Sequence, residues 1–216
     1  TTEIRSVCML VTGGNGFCTG SLINNTIQDG KPYILSANHC YRDPSDIVFM
    51  FNWESESCEN PLISPSSDDL SGAELIARAS ESDFMLLEMY DEPPFSYNVY
   101  YAGWNAIDEP ANNTVCVHHP SGDIKKISYD DDPPISDDYS PGADNTHWRV
   151  IWDRETTTEP GSSGSPLYNE NHQIIGQLHG GYASCQNLDE PDWYGKFSYS
   201  WETGSTPETR LKDWLD

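Results

Sequence analysis

The chain has 216 residues, 36% hydrophobic and 12% aromatic, which is enough to bury a substantial core and too apolar for a disordered protein. Its 35 acidic residues outweigh 11 basic ones for a net charge of -24, a surface that repels nucleic acid and anionic membranes and attracts basic peptides. No apolar run approaches the ~18 residues of a membrane helix, and Thr1-Thr2-Glu3-Ile4-Arg5 reads as an already processed end rather than a signal peptide.

Short β-like runs separated by turn signals recur along the chain. They are Ser6 to Val11, Phe17 to Ile23, Tyr33 to Leu35, Ile47 to Phe51, Phe84 to Leu87, Val115 to His118, His147 to Trp152, Gln173 to Leu178 and Tyr194 to Ser200. Polar stretches at Ser64 to Gly72 and Tyr129 to Asp138 read as surface loops; the second is acidic but lacks the glycine and terminal glutamate of an EF-hand. Helical signals gather only at the end, where Thr206-Pro207-Glu208 supplies a cap, a first-turn proline and an early acid, and Leu211, Trp214 and Leu215 share a face. The pattern predicts an all-β protein, most simply a double barrel, with a helix over about 206–215.

Six cysteines, an even number without CxxC pairs, fit an oxidising compartment and hence a secreted, periplasmic or cell-surface protein. Cys116, His118 and His119 are close in sequence, but strand alternation points His119 away from the other two, so no metal and no cofactor are expected.

Three residues stand out as a chemical set. Ser163 lies in Gly161-Ser162-Ser163-Gly164-Ser165-Pro166, where small neighbours allow a tight turn that exposes the hydroxyl. They also let the backbone N–H groups of Gly161 and Ser163 point into one spot, as an oxyanion hole requires. A serine hydroxyl needs a base, and the base needs a group to fix its tautomer. His39, after Tyr33-Ile34-Leu35, and Asp83, entering Phe84-Met85-Leu86-Leu87, supply both in the order His, Asp, Ser. A Cys18–Cys40 bridge would pin the turn that carries His39.

Further blocks extend the pattern: Cys18 to Thr26, Ser82-Asp83-Phe84, Ala102-Gly103-Trp104, His118-His119-Pro120, Thr158 to Pro166, Gly176 to Gly181, Asp192-Trp193-Tyr194-Gly195 and Leu211 to Leu215. Together they resemble the bacterial lysyl endopeptidase branch of the chymotrypsin-like serine proteases over nearly the whole chain. The resemblance implies two six-stranded antiparallel barrels, the first over about 1–105 and the second over about 112–203. It implies a secreted, monomeric endopeptidase that acts on protein or peptide substrates and cuts after Lys through an acyl-enzyme. The same triad with broader Lys/Arg specificity, or an inactive binding module on the same fold, are the alternatives.

By the same resemblance, Gln177-Leu178-His179-Gly180 lines the cleft, His179 stacks on a loop aromatic, and Tyr139 stands where the family has a Trp. Thr157 occupies the place of trypsin's pocket Asp, six residues before Ser163, and Asp192 matches the family's Lys-selecting carboxylate. Ser162 replaces the Asp that captures trypsin's new N-terminus, so that activation switch is missing. Cys8 and Cys116 are expected to join neighbouring strands; Cys58 and Cys185 pair with each other, stay free, or pair outside this chain.

Overall fold

The computed structural model describes residues 2–57, 59–139 and 145–216. Two antiparallel sheets of seven strands each make up the molecule. The first holds β1 (Val7–Thr12), β2 (Asn15–Ile23), β3 (Tyr33–Ala37), β4 (Val48–Phe51), β5 (Asp68–Ser71), β6 (Ala73–Ala79) and β7 (Phe84–Met89), in the order β5-β4-β1-β2-β3-β7-β6. The second holds β8 (Thr114–His118), β9 (Lys126–Asp130), β10 (Ile135–Asp137), β11 (His147–Val150), β12 (Pro166–Tyr168), β13 (Ile174–Gly181) and β14 (Asp192–Lys196), in the order β10-β11-β14-β13-β12-β8-β9.

In both sheets the two edge strands are consecutive in the chain, which curls each sheet towards closure. The first sheet turns this corner at Gly72 alone, with φ +82°, where a Cβ would collide with the Tyr90 ring. That glycine splits one extended segment into β5 and β6, so the sheet counts seven strands where six are expected. The stretch from Ser64 to Gly72, read as a loop, contributes β5, and the acidic stretch contributes the end of β9 and β10. Charged side chains, most of them exposed or half-buried, hide the strand pattern.

The helix expected over 206–215 is broken. Pro207–Thr209 forms a 3-10 turn, Arg210 is extended (φ −149°, ψ 160°), and only Lys212–Leu215 is α-helical (α2). Leu211 and Leu215 are nevertheless fully buried in the core that joins the two sheets. A second helix, α1 (Phe197–Glu202), replaces the end of the strand read over Tyr194 to Ser200. Phe197 and Trp201 are one helical turn apart, and both pack on Trp104, at ring distances of 5.2 and 4.5 Å. That aromatic stack is a tertiary contact, and it overrides the local β-like composition.

Cys18 and Cys40 form a disulfide. The expected Cys8–Cys116 link is absent: both thiols are free and fully buried. Cys8 lies in the core of the first sheet and Cys116 in that of the second, so each thiol points into its own barrel. Burial pushes both thiols up to about 12, which leaves them inert. Cys185 is exposed and free, and Cys58 and Thr1 lie outside the described residues. No helix among the described residues is long and apolar enough to cross a membrane.

Candidate active site

His39 and Asp83 come from opposite ends of paired strands. Ala37 at the end of β3 pairs with Phe84 at the start of β7, so the residues just beyond meet. His39 Nδ1 lies 2.6 Å from Asp83 Oδ2, and the His39 backbone N–H donates to Asp83 Oδ1 at 2.8 Å. Asp83 is only 2% exposed and sits at φ +55°, a left-handed conformation that Asp and Asn tolerate better than most residues. The second sheet holds it there. The buried Gln177 side chain donates to the Ser82 carbonyl at 2.7 Å, and a Cβ at Gly195 would overlap that same oxygen.

The Ser163 loop wedges beneath this turn. A Cβ at Gly164 would collide with Ser36 and the Thr19 carbonyl, so only glycine lets the loop approach β3. Thr19 N–H donates to the Ser163 carbonyl at 2.8 Å. The Cys40 sulfur lies 3.8 Å from that carbonyl and 3.9 Å from His39 Nε2, so the disulfide sits between the Ser163 loop and the imidazole. Among the described residues no hydrogen bond joins Ser163 Oγ to His39 Nε2; such bonds often tighten only with substrate bound.

The loop leaves two amides without a protein acceptor. The Pro160 carbonyl accepts from Ser121 N–H at 2.6 Å, and in a trans peptide the following Gly161 N–H points the opposite way. Gly161 itself has φ +98°, and its carbonyl accepts from Thr19 Oγ1 at 2.9 Å. Neither Gly161 N–H nor Ser163 N–H donates to any described protein group, while Ser162, Gly164 and Ser165 N–H all do.

Behind His39 stands a stack that the resemblance implies in outline. His179 lies 5.6 Å from His39 and 3.8 Å from Tyr139, ring centre to ring centre, so Tyr139 stacks on His179. His179 Nε2 is 3.8 Å from Asp83 Oδ2, and its Nδ1 is 3.0 Å from His147 Nε2. Beyond Leu178 no described strand pairs with β13 on the side opposite β14, which leaves His179, Gly180 and Gly181 as an open edge.

Asp192, 1% exposed, lies at the start of β14. Its Oδ2 accepts from Trp152 Nε1 at 2.8 Å and from Thr158 Oγ1 at 2.6 Å. Its Oδ1 is buried without a hydrogen-bonded partner, and the Ala183 amide acts to lower the carboxyl's pKa against the larger effect of burial. A Cβ at Gly181 would collide with that oxygen. Burial raises the Asp192 pKa, and no described cation pairs with it. Sequence reasoning did not single out Gln177, Trp152, Thr158 or His147 as supports. A buried carboxylate signals that donors exist, but not which ones.

Three histidines near this centre are buried and neutral: burial pushes His118, His119 and His147 each down to about 3 from 6.5. Their lowered values favour the fold above pH 6.5, and that stability is lost as pH falls towards 3, because the unfolded chain takes up protons the fold refuses. Asp130, raised by burial to about 6, and Asp192 act in the opposite sense. A net uptake of one to two protons on unfolding leaves a slope of roughly 1–3 kcal/mol per pH unit between pH 6 and 4. Urea titrations across that range check this; stability that is flat or rises on acidification contradicts it.

Residues 1–195 match the family model for the lysyl endopeptidase C-terminal domain. A lysyl endopeptidase of Pseudomonas aeruginosa is 31% identical over 200 residues, covering 86% of this chain and 42% of that protein. The chain therefore spans less than half the length of this relative. A crystal structure of an inactive serine-to-alanine mutant of Rv3671c from M. tuberculosis H37Rv shares the fold at a TM-score of 0.58 and 13% identity, covering 90% of this chain and 82% of that one. A family model matched over residues 1–195, on a fold of two antiparallel sheets, places this chain in the lysyl endopeptidase family of trypsin-like serine proteases.

Proposed function

We propose that the chain is a serine endopeptidase that hydrolyses peptide bonds on the carboxyl side of Lys. Ser163 Oγ attacks the scissile carbonyl, and His39 Nε2 takes the hydroxyl proton and returns it to the leaving amine. Asp83 holds the imidazole with its proton on Nδ1 and stabilises the imidazolium that forms. The Gly161 and Ser163 N–H groups receive the oxyanion. Water then attacks the acyl-enzyme with His39 again as base, releasing the acid and restoring Ser163.

The observation that carries the hydrolytic reading is the pair of unengaged amides, Gly161 and Ser163 N–H, on the Ser163 loop packed under the His39–Asp83 pair. The Lys preference rests on Asp192, whose free Oδ1 beside the bare Gly181 backbone suits a compact ammonium, while Trp152 and Thr158 occupy Oδ2. The open edge at His179–Gly181 takes the substrate backbone as an added strand. The Cys18–Cys40 disulfide supports export to an oxidising compartment.

The test is mass-spectrometric mapping of the peptides released from a denatured protein, with Ser163→Ala as control. Cuts confined to Lys-X bonds and lost in the control are expected. Cuts after Arg at comparable rates overturn the Lys preference, and cuts that survive in the control overturn the serine mechanism.

A further inference from the structure

His118 lies at the end of β8, fully buried, and plays no part in the chemistry just described. Both ring nitrogens are engaged: Nδ1 is 2.8 Å from Ser162 Oγ and Nε2 is 3.1 Å from Ser128 Oγ. The proton order along this chain follows from its ends. The Thr157 carbonyl only accepts, so the Ser128 hydroxyl, 2.9 Å away, donates to it. Ser128 Oγ must then accept from His118 Nε2–H. A neutral imidazole protonated on Nε2 leaves Nδ1 as an acceptor, so Ser162 O–H donates to it. Ser162 Oγ in turn accepts the Glu159 backbone N–H at 3.2 Å. Burial, with a smaller effect of Lys126, keeps the ring neutral.

Both ends of this relay return to one loop. It grips the Thr157 carbonyl and the Glu159 amide, which bracket Thr158, the residue that donates to Asp192 Oδ2. It also holds Ser162, which lies between the two residues whose amides are free, Gly161 and Ser163. Ser162 N–H closes the turn on the Glu159 carbonyl at 3.0 Å. The bonds therefore form a staple from β8 and β9 across the whole 157–162 turn, fastened by a single imidazole.

We propose that His118, in its Nε2-protonated form, is a positioning residue that locks the oxyanion loop by accepting a hydrogen bond from the Ser162 hydroxyl and donating a second one to Ser128, which in turn donates to the Thr157 carbonyl. The inference rests on the peptidase reading for its kinetic consequences, but the proton order is a property of the fold alone. Breaking the staple frees Ser162 and Thr157 together, and the amides on either side of Ser162 lose their fixed aim. Asp192 remains held by Trp152, so ammonium binding is largely spared.

The experiment compares Ser162→Ala, Ser128→Ala, His118→Phe and the Ser162→Ala/His118→Phe pair with the parent enzyme. The readouts are kcat and KM on a Lys amide, affinity for a peptidyl lysine aldehyde, affinity for n-butylammonium as competitor, and Tm. Ser162→Ala and His118→Phe are expected to lower kcat and aldehyde affinity in parallel by about 10- to 100-fold, the scale of a weakened oxyanion donor, with n-butylammonium affinity changed less than about 3-fold. The pair should cost no more than His118→Phe alone, because both changes cut one chain. Wild-type kcat and aldehyde affinity in Ser162→Ala, or additive losses in the pair, overturn the proposal. If His118→Phe does not fold, Ser162→Ala decides. Independently, nitrogen-correlated NMR of the Ser163→Ala protein should show a neutral His118 with its proton on Nε2 between pH 5 and 8. A proton on Nδ1 overturns the lock, and failure of the parent to cut peptides counts only against the peptidase reading.

Discussion

Asp83→Asn is expected to lower kcat by about 10⁴-fold while leaving the protein folded, the scale set by loss of the correct tautomer in a Ser-His-Asp site. An asparagine fits the same space and the same left-handed backbone at φ +55°. Its carbonyl oxygen can still accept the His39 backbone N–H, now held by Asp83 Oδ1 at 2.8 Å. The other atom becomes an NH₂ directed at His39 Nδ1, which must then accept. The imidazole proton moves to Nε2, the atom needed to take a proton from Ser163. Scaffold contacts survive, because Ser82 keeps its bond from Gln177 and Ser82 Oγ keeps its contact with Ser200 Oγ at 2.8 Å. Kinetics on a Lys amide with Tm measured in parallel check this: a folded variant with more than about a tenth of wild-type kcat shows that Asp83 does not fix the tautomer.

Asp192→Asn is expected to lower kcat/KM on Lys substrates on the order of 10³-fold, the cost of leaving a buried ammonium without its carboxylate. The same change should raise Tm at pH 8. The Asp192 pKa is raised by burial, so the folded state resists the charged form. Stability tied to this group is present at low pH, where it is protonated, and is lost as pH rises through its folded pKa. Asparagine removes the charge and can still accept from Trp152 and Thr158. The gain in Tm should therefore shrink as pH falls into the carboxylate range. A drop in Tm at pH 8 would show that the carboxylate stabilises the free enzyme. Unchanged Lys cleavage would move the specificity group elsewhere, with the nearby Asp189 and Glu190 as the next to test.

The candidate site was more legible in the sequence than the fold. Ser163 and His39 stand in short segments whose small or turn-forming neighbours serve a chemical need, and such needs are local. Asp83 could be picked because a carboxylate entering Phe84-Met85-Leu86-Leu87 has to be buried and partnered. Strands with a buried run, such as β1, β3 and β7, were also legible. Those with alternating or exposed charged residues were not: β5 reads Asp-Asp-Leu-Ser, and β10 reads Ile-Ser-Asp. Edge strands solvate one side, so their composition matches that of loops. The misread α1 shows the reverse error, where aromatic residues counted as β-formers are held in a helix by Trp104.

By itself the sequence determined the residue types and their order: a histidine, a serine, two carboxylates and the glycines that no side chain can replace. It also fixed the two cysteines that clasp the His39 turn. Only the tertiary structure decided which groups hold these in place. Gln177 reaches Ser82 across 95 positions, Trp152 reaches Asp192 across 40, and His118 reaches Ser162 across 44. The same distance in sequence hid the fate of Cys8 and Cys116, which sit on legible strands yet point into separate cores. Burial makes each polar group require a partner, a need that can be read from composition and pattern. Which partner answers depends on how two curled sheets pack, and that is a property of the whole chain.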